Sequence, residues 1–368
     1  MKILFCTNAF ETVSNGPAKF SHLLLQINTL FPGHEIRILT EDCTAASANV
    51  FKLELNIPRW LKPAGMFLRM FQYHRRAMEI RKNEFPFDTL VYNNAIVAVW
   101  SGWRFHNTIG FINDDNNASA SWRKAFFQLQ FTRNHIFFLV EKLATKVTRK
   151  TVVNSEYLLH YLKARYHIPS GKIFRLYKAI EFQPQPLRKQ NPVPSVLFVK
   201  NDYIRGGLFD LIAALKSLRR PCRLIIAGTP ASASQSILAA CNDSLLEVTI
   251  AGIIPQNQVY QLMQQADIFC VPSYKEALGV ANIEAMAHGC SVISTRVGGI
   301  PEVMDQGACG WLADAGDVAE LAEAITDCLE NEAIREQKKN HAYTYIQRFS
   351  LSNMLNELMG ILSINGRQ

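Results

Sequence analysis

Long hydrophobic runs are missing from this 368-residue sequence, which contains no stretch of eighteen consecutive apolar residues. A helix that spans a bilayer needs about that length, so we expect no transmembrane segment. The first residues, Met1–Asn8, become polar too early for a secretory signal peptide and are more typical of a first buried strand. We therefore expect a cytoplasmic protein.

Clustered cysteines are also missing. The eight cysteines are scattered, no C-x-x-C pair occurs, and several lie in apolar surroundings. This pattern favours small core residues in a reducing compartment over disulfides or a zinc site. The sequence also has no G-x-G-x-x-G motif and no P-loop lysine, and it therefore offers no motif for a dinucleotide or for ATP.

Negative charge is scarce in one half of the chain. The net charge of +8 is concentrated in residues 1–185, because residues 186–368 hold slightly more acidic than basic side chains. A basic half suggests a nucleic acid, an anionic membrane surface or an acidic acceptor as its partner. No motif for reading nucleic acid is present, so we expect no nucleic-acid partner.

Residues 58–82 form a basic and aromatic stretch, with seven Lys and Arg against one acidic residue. As an amphipathic helix this segment suits an anionic bilayer, which would place the protein on the inner face of the cytoplasmic membrane. The alternative is an ordinary helix that packs through Met66, Phe67, Met70 and Phe71 and leaves its arginines in water.

Length and the order of the segments predict the architecture. With 48% apolar residues, 368 residues can bury two cores, and the alternation of strand-like and helix-like segments predicts an α/β protein with parallel sheets. A proline-rich polar stretch at 183–194 is typical of a domain linker. We therefore predict two domains, at 1–182 and 195–349.

The residues with the clearest chemistry lie between 267 and 289. An apolar strand that ends at Val271 is followed by a loop that closes at Gly279 and then by a helix. The backbone N–H groups of Leu278, Gly279 and Val280 lie at the start of this helix. They are unpaired there and share the positive end of the helix dipole, so they favour an anion such as phosphate.

Two carboxylates flank this helix start. Glu284 lies about one turn inside the helix and would accept hydrogen bonds from a ribose diol. Glu276 precedes the helix and would reach a group on the far side of the phosphate. Together with the N–H groups, the two glutamates would hold the ribose, the diphosphate and the sugar of a nucleotide-sugar.

This stretch resembles the signature of family 4 glycosyltransferases. The shared features are a proline-serine strand end, two glutamates with seven residues between them (Glu276 and Glu284), a following EAMA-x-G, and the later segment Val297–Val303. The resemblance implies a GT-B fold, in which two Rossmann-like domains direct their parallel sheets toward an interdomain cleft. It also implies that a C-terminal helix at 350–368 packs back on the first domain.

The resemblance further implies an acceptor in the first domain, a nucleoside-diphosphate sugar in the second, and transfer with retention of anomeric configuration and no metal. No well-placed nucleophile stands out. The front-face mechanism therefore fits best, in which the leaving diphosphate helps to deprotonate the incoming hydroxyl while the protein supplies positioning and charge. Glu276 would orient the sugar, and Arg205, which is followed by Gly206-Gly207, would hold the diphosphate.

Three further donor-binding residues follow from the resemblance. Lys200 lies in the same strand-to-helix loop as Arg205. The lysine that relatives usually carry beside the arginine is missing here, and Lys200 is the candidate to replace it. Ile254 ends a strand whose loop resembles the one that holds the nucleotide base. Gly16 lies in the first strand-to-helix loop, which faces the donor phosphate in relatives, although an ordinary turn is the alternative for this residue.

Polar residues after the first-domain strands are the acceptor-side candidates. Asn93 and Asn113 follow two apolar strands, and the carboxyl ends of parallel strands line the ligand crevice. Asp114 would orient an acceptor hydroxyl or act as a weak base, which makes it a catalytic candidate, unless it caps a helix. Many relatives carry a histidine in place of Asn113. Lys178, near the end of the domain, would lie near the cleft.

The sequence thus predicts a retaining glycosyltransferase. It would move a sugar from a nucleoside-diphosphate sugar to a hydroxyl of a glycan or lipid-linked acceptor, in bacterial cell-surface polysaccharide or lipopolysaccharide synthesis. One alternative is a GT-B nucleotide-sugar epimerase, which would require acid and base groups that the sequence does not identify. The other is a non-catalytic scaffold that binds sugar nucleotides, and the presence of both glutamates argues against it.

Overall fold

The chain forms two compact units. Unit 1 contains Met1–Lys178 and Met354–Gln368, and unit 2 contains Ala179–Asn353. The computed structural model of the protein describes these residues: 1–11, 16–55, 65–118, 133–180, 182 and 191–363. Within the described residues, each unit is an α/β structure built on one parallel sheet, as the alternation of strands and helices predicts.

Unit 1 contains a seven-stranded sheet. Its strands are β1 (Lys2–Thr7), β2 (Glu35–Thr40), β3 (Val50–Lys52), β4 (Thr89–Tyr92), β5 (Thr108–Ile112), β6 (Lys150–Val153) and β7 (Ile173–Arg175). They lie in the order β3-β2-β1-β4-β5-β6-β7. Every residue of β4, β5 and β6 is buried, because helices cover both faces of a parallel sheet.

Unit 1 also contains helices, of which one has a clear side-chain cap. They are α1 (Gly16–Leu25), α2 (Ile27–Leu30), α3 (Gly65–Asn83), α4 (Val99–Arg104), α5 (Arg133–Val147) and α6 (Glu156–Tyr166). Helix α6 begins where the Ser155 side chain accepts a hydrogen bond from the Leu158 N–H at 3.1 Å. It ends at His167, which has a left-handed backbone.

Unit 2 contains a six-stranded sheet. Its strands are β8 (Ser195–Val199), β9 (Cys222–Ala227), β10 (Leu246–Gly252), β11 (Ile268–Cys270), β12 (Ser291–Thr295) and β13 (Trp311–Ala313). They lie in the order β10-β9-β8-β11-β12-β13. The connecting helices are α7 (Leu208–Ser217), α8 (Ser234–Ala240), α9 (Gln256–Gln265), α10 (Val280–Ala287), α11 (Ile300–Val303), α12 (Val318–Glu330) and α13 (Glu332–Tyr345).

The last helix is α14 (Leu351–Ser363), and from Met354 onward it belongs to unit 1. Glu357 on this helix pairs with Arg175 of β7 at 2.8 Å. The Lys150 ammonium of β6 donates to the carbonyl oxygen of Ile361. The last five residues of the helix predicted at 350–368 lie outside the described residues.

The basic aromatic helix predicted at 58–82 is described from residue 65 onward, as α3. Met70 is buried, but Phe67 and Phe71 are 53% and 44% exposed. The alternative, an ordinary helix that packs through four apolar residues, therefore does not hold for these two phenylalanines. They lie on the outer face of the helix, whereas Tyr73 and Ala77 are buried. Residues 58–64, and residues 183–190 of the predicted linker, lie outside the described residues.

All eight cysteines are buried and free. This result confirms the prediction that they are small core residues and not disulfide partners. Among the described residues, no helix combines the length and the apolar character that crossing a membrane requires.

Both sheets reverse their strand order beside a central strand. In unit 1 the reversal lies between β1 and β4, and in unit 2 it lies between β8 and β11. Open parallel sheets bind ligands outside the carboxyl ends of the strands at such a reversal. Each of these two reversals is therefore a candidate ligand site.

Candidate functional site

In unit 2, a cation and a carboxylate meet at the strand reversal. Lys200 directly follows β8, and Glu276 lies in the loop after β11. The Lys200 ammonium lies 2.6 Å from Oε2 of Glu276 and donates to the Ser273 hydroxyl at 3.1 Å. Their side chains are only 20% and 29% exposed, respectively. The pair fixes the Glu276 carboxylate beside a positive charge in partly desolvated surroundings.

Two glycines support the Glu276 loop from behind. Gly298 has φ of +56°, and a Cβ there would lie 1.6 Å from the Glu276 carbonyl oxygen. A Cβ on Gly299 would lie 2.4 Å from the Ala277 carbonyl oxygen. Only glycine allows so close an approach of two backbones. The Gly298-Gly299 pair of the family signature therefore positions the loop that contains Glu276.

The loop ends at the start of α10. Gly279 is the N-cap residue, with φ of +92°, and Val280 is the first helical residue. Leu278 is buried and anchors the turn. The first backbone N–H groups of a helix have no intrahelical acceptor, so this turn presents donors and the positive end of the helix dipole. The structure thus brings the three predicted phosphate-binding residues together with Glu276.

Glu284 lies on α10, one turn further along the chain. Its Oε1 accepts a hydrogen bond from the Tyr260 hydroxyl at 2.9 Å, and Oε2 lies 3.5 Å from the Gln256 amide nitrogen. The Tyr260 ring stacks on His288, with ring centroids 4.4 Å apart. Sequence reasoning missed Tyr260 and Gln256, because no spacing rule links α9 to a helix that follows the next strand.

Arg205 is partly buried in the loop between β8 and α7. Its carbonyl oxygen accepts a hydrogen bond from the Tyr274 N–H at 2.9 Å. Gly207, two residues on, has φ of +72°, and a Cβ there would lie 2.2 Å from the Pro272 carbonyl oxygen. The loop that contains Arg205 and the loop that contains Glu276 are therefore joined backbone to backbone.

The predicted base-binding residue, Ile254, is partly buried after β10, next to the 72% exposed Ile253. The Gly228 N–H donates to the Gly252 carbonyl oxygen at 2.7 Å and so connects the loops after β9 and β10. Beside them, the buried Thr229 hydroxyl has no hydrogen-bond partner among the described residues. This edge of the sheet thus combines apolar side chains with the buried Thr229 hydroxyl, which has no hydrogen-bond partner among the described residues.

In unit 1, side-chain amides join the carboxyl ends of the central strands. The Asn93 amide donates to the Thr7 hydroxyl at 3.3 Å, and the Asn113 amide donates to the Asn93 carbonyl oxygen at 3.0 Å. The Asn154 amide donates to the Asn113 carbonyl oxygen at 3.0 Å. The two predicted acceptor-side asparagines therefore lie together at the edge that the strand pattern predicts.

Asp114 is exposed and accepts a hydrogen bond from the Asn116 N–H at 2.9 Å, which closes a local turn. It does not cap one of the described helices. Gly16 is the first residue of α1, after a loop outside the described residues. Lys178 is partly buried after β7, where residue 178 ends the first segment of unit 1.

A buried carboxyl lies near Asp114. Glu141 of α5 is 4% exposed and accepts hydrogen bonds from the Tyr166 hydroxyl at 2.6 Å and the Asn117 amide at 2.8 Å. Burial raises the pKa of Glu141 to about 7, more than these two hydrogen bonds lower it, and the charges of Asp114 and Asp115 raise it further. No sequence pattern marks this residue.

The described residues contain no group of three His, Cys, Asp or Glu side chains that is arranged to hold a metal ion. Lys200 and the helix amides supply positive charge near the start of α10.

The comparisons with known proteins agree with this geometry. Residues 179–345 match the model of the family described as glycosyl transferases group 1. A D-inositol 3-phosphate glycosyltransferase of Corynebacterium efficiens is 31% identical over 109 residues, which is 30% of this chain and 26% of that protein. The chain thus matches about a quarter of the length of this curated relative.

Solved structures match almost the whole chain. Sucrose-phosphate synthase from Thermosynechococcus elongatus superposes with a TM-score of 0.77 at 18% identity, over 98% of both chains. HepE of Anabaena, solved in complex with UDP-glucose, gives a TM-score of 0.71 at 17% identity, over 99% of both chains. The fold is therefore GT-B, and residues 179–345 are similar to the group 1 glycosyl transferases, whose family model they match.

Proposed function

We propose that the protein is a retaining glycosyltransferase that uses a nucleoside-diphosphate sugar as donor. One observation carries the proposal: Lys200, Glu276 and the start of α10 converge at the strand reversal of unit 2. A leaving diphosphate needs positive charge and N–H donors, and a sugar needs an oriented acceptor group. This arrangement offers both within one short segment and the loop that follows β8.

Each donor-side residue has a defined part in this proposal. Arg205, Lys200 and the N–H groups at 278–280 stabilise the charge that develops on the leaving diphosphate. Glu276 orients the sugar, and its position depends on Lys200. Glu284 accepts hydrogen bonds from the ribose diol, with Tyr260 holding its carboxylate, and Ile254 lies beside the base. Gly16 stays a proposed donor-binding residue.

The acceptor is a hydroxyl of a glycan or glycolipid, as in the synthesis of bacterial cell-surface polysaccharide or lipopolysaccharide. Asn93, Asn113 and Asp114 would orient it, and Lys178 would add positive charge. Transfer with retention follows the front-face path, in which the diphosphate oxygen takes the proton of the incoming hydroxyl. The diphosphate is then the base, and no protein side chain has to take this proton.

Calorimetry with UDP and GDP tests the donor site, after a thermal-shift panel of nucleotide-sugars has identified the donor. We expect Glu284→Ala to weaken nucleotide binding by about 1.5–3 kcal/mol, because charge-assisted hydrogen bonds are lost. Glu247→Ala is the matched control, since Glu247 is an exposed carboxylate of the same unit that pairs with Arg223. Equal affinity for UDP and GDP in the wild-type protein, Glu284→Ala and Glu247→Ala would rule out Glu284 as the ribose ligand. An isomerised nucleotide-sugar as the product would instead indicate an epimerase.

We also propose that unit 1 contacts an anionic membrane surface, which would place the protein on the inner face of the cytoplasmic membrane. Phe67, Phe71, Trp100 and Trp103, here called the aromatic patch, lie on α3 and α4. Phe71 and Trp100 are 5.8 Å apart, and Trp103 is 56% exposed. The Arg104 guanidinium lies 4.3 Å from the Trp100 ring centroid. Exposed aromatic rings beside a cation are typical of an interfacial contact.

Sedimentation with liposomes tests this contact. We expect Trp103→Ala to reduce recovery with vesicles that contain phosphatidylglycerol, compared with Leu238→Ala, which removes an equally exposed apolar side chain from unit 2. Recovery that is the same for both variants, or the same with neutral vesicles, would contradict the proposal.

A further inference from the structure

A buried histidine, His288, directly follows α10 as its C-cap residue. It is 2% exposed, and its Nδ1 lies 2.7 Å from the carbonyl oxygen of Glu284, one turn earlier. A carbonyl oxygen only accepts hydrogen bonds, so Nδ1 carries the proton and donates here. This bond fixes the tautomer and the orientation of the imidazole ring. The EAMA-x-G signature leaves this position open, so the resemblance assigns the histidine no role.

The imidazole ring supports a tyrosine of the neighbouring helix. Tyr260 of α9 stacks on His288, with ring centroids 4.4 Å apart and ring planes 16° apart. Aromatic rings packed at this distance stabilise each other beyond the area that they bury. A flat ring against one face of Tyr260 also limits the directions in which the tyrosine hydroxyl can point. The orientation of Tyr260 therefore depends on His288.

The Tyr260 hydroxyl points at the side chain of Glu284. It donates to Oε1 at 2.9 Å, and the amide nitrogen of Gln256, one turn earlier on α9, lies 3.5 Å from Oε2. A carboxylate oxygen accepts more than one hydrogen bond, so these contacts orient Glu284 and still allow it to accept from a ligand. Glu284 is partly exposed and His288 is buried, so the carboxylate can reach a ligand that the imidazole cannot touch.

We propose that His288 and Tyr260 are positioning residues for the donor site. They hold the Glu284 carboxylate in one direction, and this sets how strongly the site prefers a nucleotide that has a 2′,3′-diol. The inference rests on the proposed function, in which Glu284 binds the ribose. His288 acts only through Tyr260 and through the carbonyl group of Glu284.

Orientation matters because a glutamate on a helix surface otherwise samples several rotamers. A carboxylate that is already oriented does not lose this freedom when a ribose binds, so the hydrogen bonds of the diol contribute more to affinity. A site built for these hydroxyls also discriminates more strongly against a ligand that lacks them. Loss of the stack should therefore lower the preference for ribose, whereas the contacts with the diphosphate remain.

Calorimetry on the full chain with UDP, GDP and their 2′,3′-dideoxy forms tests the proposal. The measured quantity is the ribose preference, which is the dissociation constant of the dideoxy form divided by that of the ribose form. We expect a preference of about 10- to 100-fold in the wild-type protein. His288→Ala and Tyr260→Phe should each lower it about 3- to 10-fold. The double variant should lower it no further than Tyr260→Phe alone, because both changes act through one hydroxyl.

Two further variants separate positioning from a merely structural role. His288→Phe keeps a flat ring against Tyr260 but cannot donate to Glu284, so its ribose preference should lie between those of the wild-type protein and His288→Ala. His341→Ala is the matched control, since His341 stacks on Tyr345 elsewhere in unit 2, with centroids 6.1 Å apart, and it should leave the preference unchanged. Thermal unfolding of each variant reports whether the fold is retained. A structural role alone would weaken both forms of the nucleotide equally.

The outcomes distinguish this inference from the proposed function. No binding of UDP or GDP by the wild-type protein overturns both. Nucleotide binding with the same ribose preference in the wild-type protein, His288→Ala and Tyr260→Phe overturns the positioning role and leaves the donor site intact. A higher preference in Tyr260→Phe also overturns it, because Tyr260 would then compete with the ribose for Glu284. If His288→Ala does not fold, His288→Phe and Tyr260→Phe decide in its place.

Discussion

The Lys200 ammonium lies 2.6 Å from the Glu276 carboxylate, at the strand reversal of unit 2. The two residues are far apart in the sequence, and they meet because β8 and β11 are neighbours in the sheet. A residue predicted to help bind the diphosphate therefore also positions the residue predicted to orient the sugar. The donor site thus depends on a cation from one loop and a carboxylate from another.

The first prediction concerns this pair. We expect Lys200→Met to lower the turnover of donor hydrolysis by about 10²–10³-fold, the usual effect of removing a group that stabilises the transition state. Lys339→Met is the control, since Lys339 pairs with Glu336 at 3.0 Å elsewhere in unit 2. A change in the Michaelis constant alone, with normal turnover, would show that Lys200 contributes only to ground-state binding.

The second prediction concerns Gly298. Because φ is +56° and a Cβ would lie 1.6 Å from the Glu276 carbonyl oxygen, Gly298→Ala should displace the Glu276 loop. We expect a loss of about 1–3 kcal/mol in the free energy of unfolding and weaker donor binding.

Gly171→Ala is the control for this change, since nothing lies within 4 Å of the added Cβ and the backbone there is unstrained. Equal melting temperatures and equal donor affinity in the two alanine variants would show that the loop does not depend on Gly298.

The third prediction concerns Tyr260. Its hydroxyl donates to Glu284 at 2.9 Å, so Tyr260→Phe should weaken UDP or GDP binding by about 0.5–1.5 kcal/mol, less than Glu284→Ala. Tyr345→Phe removes a hydroxyl that donates to the Glu302 carbonyl oxygen and serves as the control. Calorimetry that finds tighter binding in Tyr260→Phe would mean that Tyr260 competes with the ribose for Glu284.

The fourth prediction concerns pH and Glu141. Its pKa is about 7 in the folded protein, above the ordinary value of 4.5, so the folded state holds a proton that the unfolded state releases. The contribution of Glu141 to the free energy of unfolding is then greatest below about pH 4.5, and it is lost as the pH rises to about 7. At pH 8 the cost is about 3 kcal/mol.

Glu141→Gln should therefore raise the melting temperature at pH 8 and leave it nearly unchanged at pH 5. Glu79→Gln, on the exposed face of α3, is the control and should show no such difference. A melting temperature of Glu141→Gln that follows the wild-type protein at both pH values would mean that the carboxyl is not buried and protonated as the structure indicates.

Local sequence chemistry was sufficient for much of the fold. The apolar strand predicted to end at Val271 is Ile268–Cys270, and the helix predicted after Gly279 begins at Val280. Continuous apolar runs and small turn residues encode such elements directly. The helix α3 was predicted only in part, because periodicity does not decide which apolar residues a neighbouring element will cover, and Phe67 and Phe71 are exposed.

The sequence by itself determined the segment from Glu276 to Glu284, since its loop, helix start and two carboxylates depend on residues a few positions apart. It also indicated a resemblance to glycosyltransferases, and residues 179–345 match the model of the group 1 glycosyl transferases. Only the tertiary structure decided the partners: Lys200 for Glu276, Tyr260 for Glu284, and His288 for Tyr260. The physical reason is that strand order and helix packing bring distant residues together, and no local pattern encodes that order.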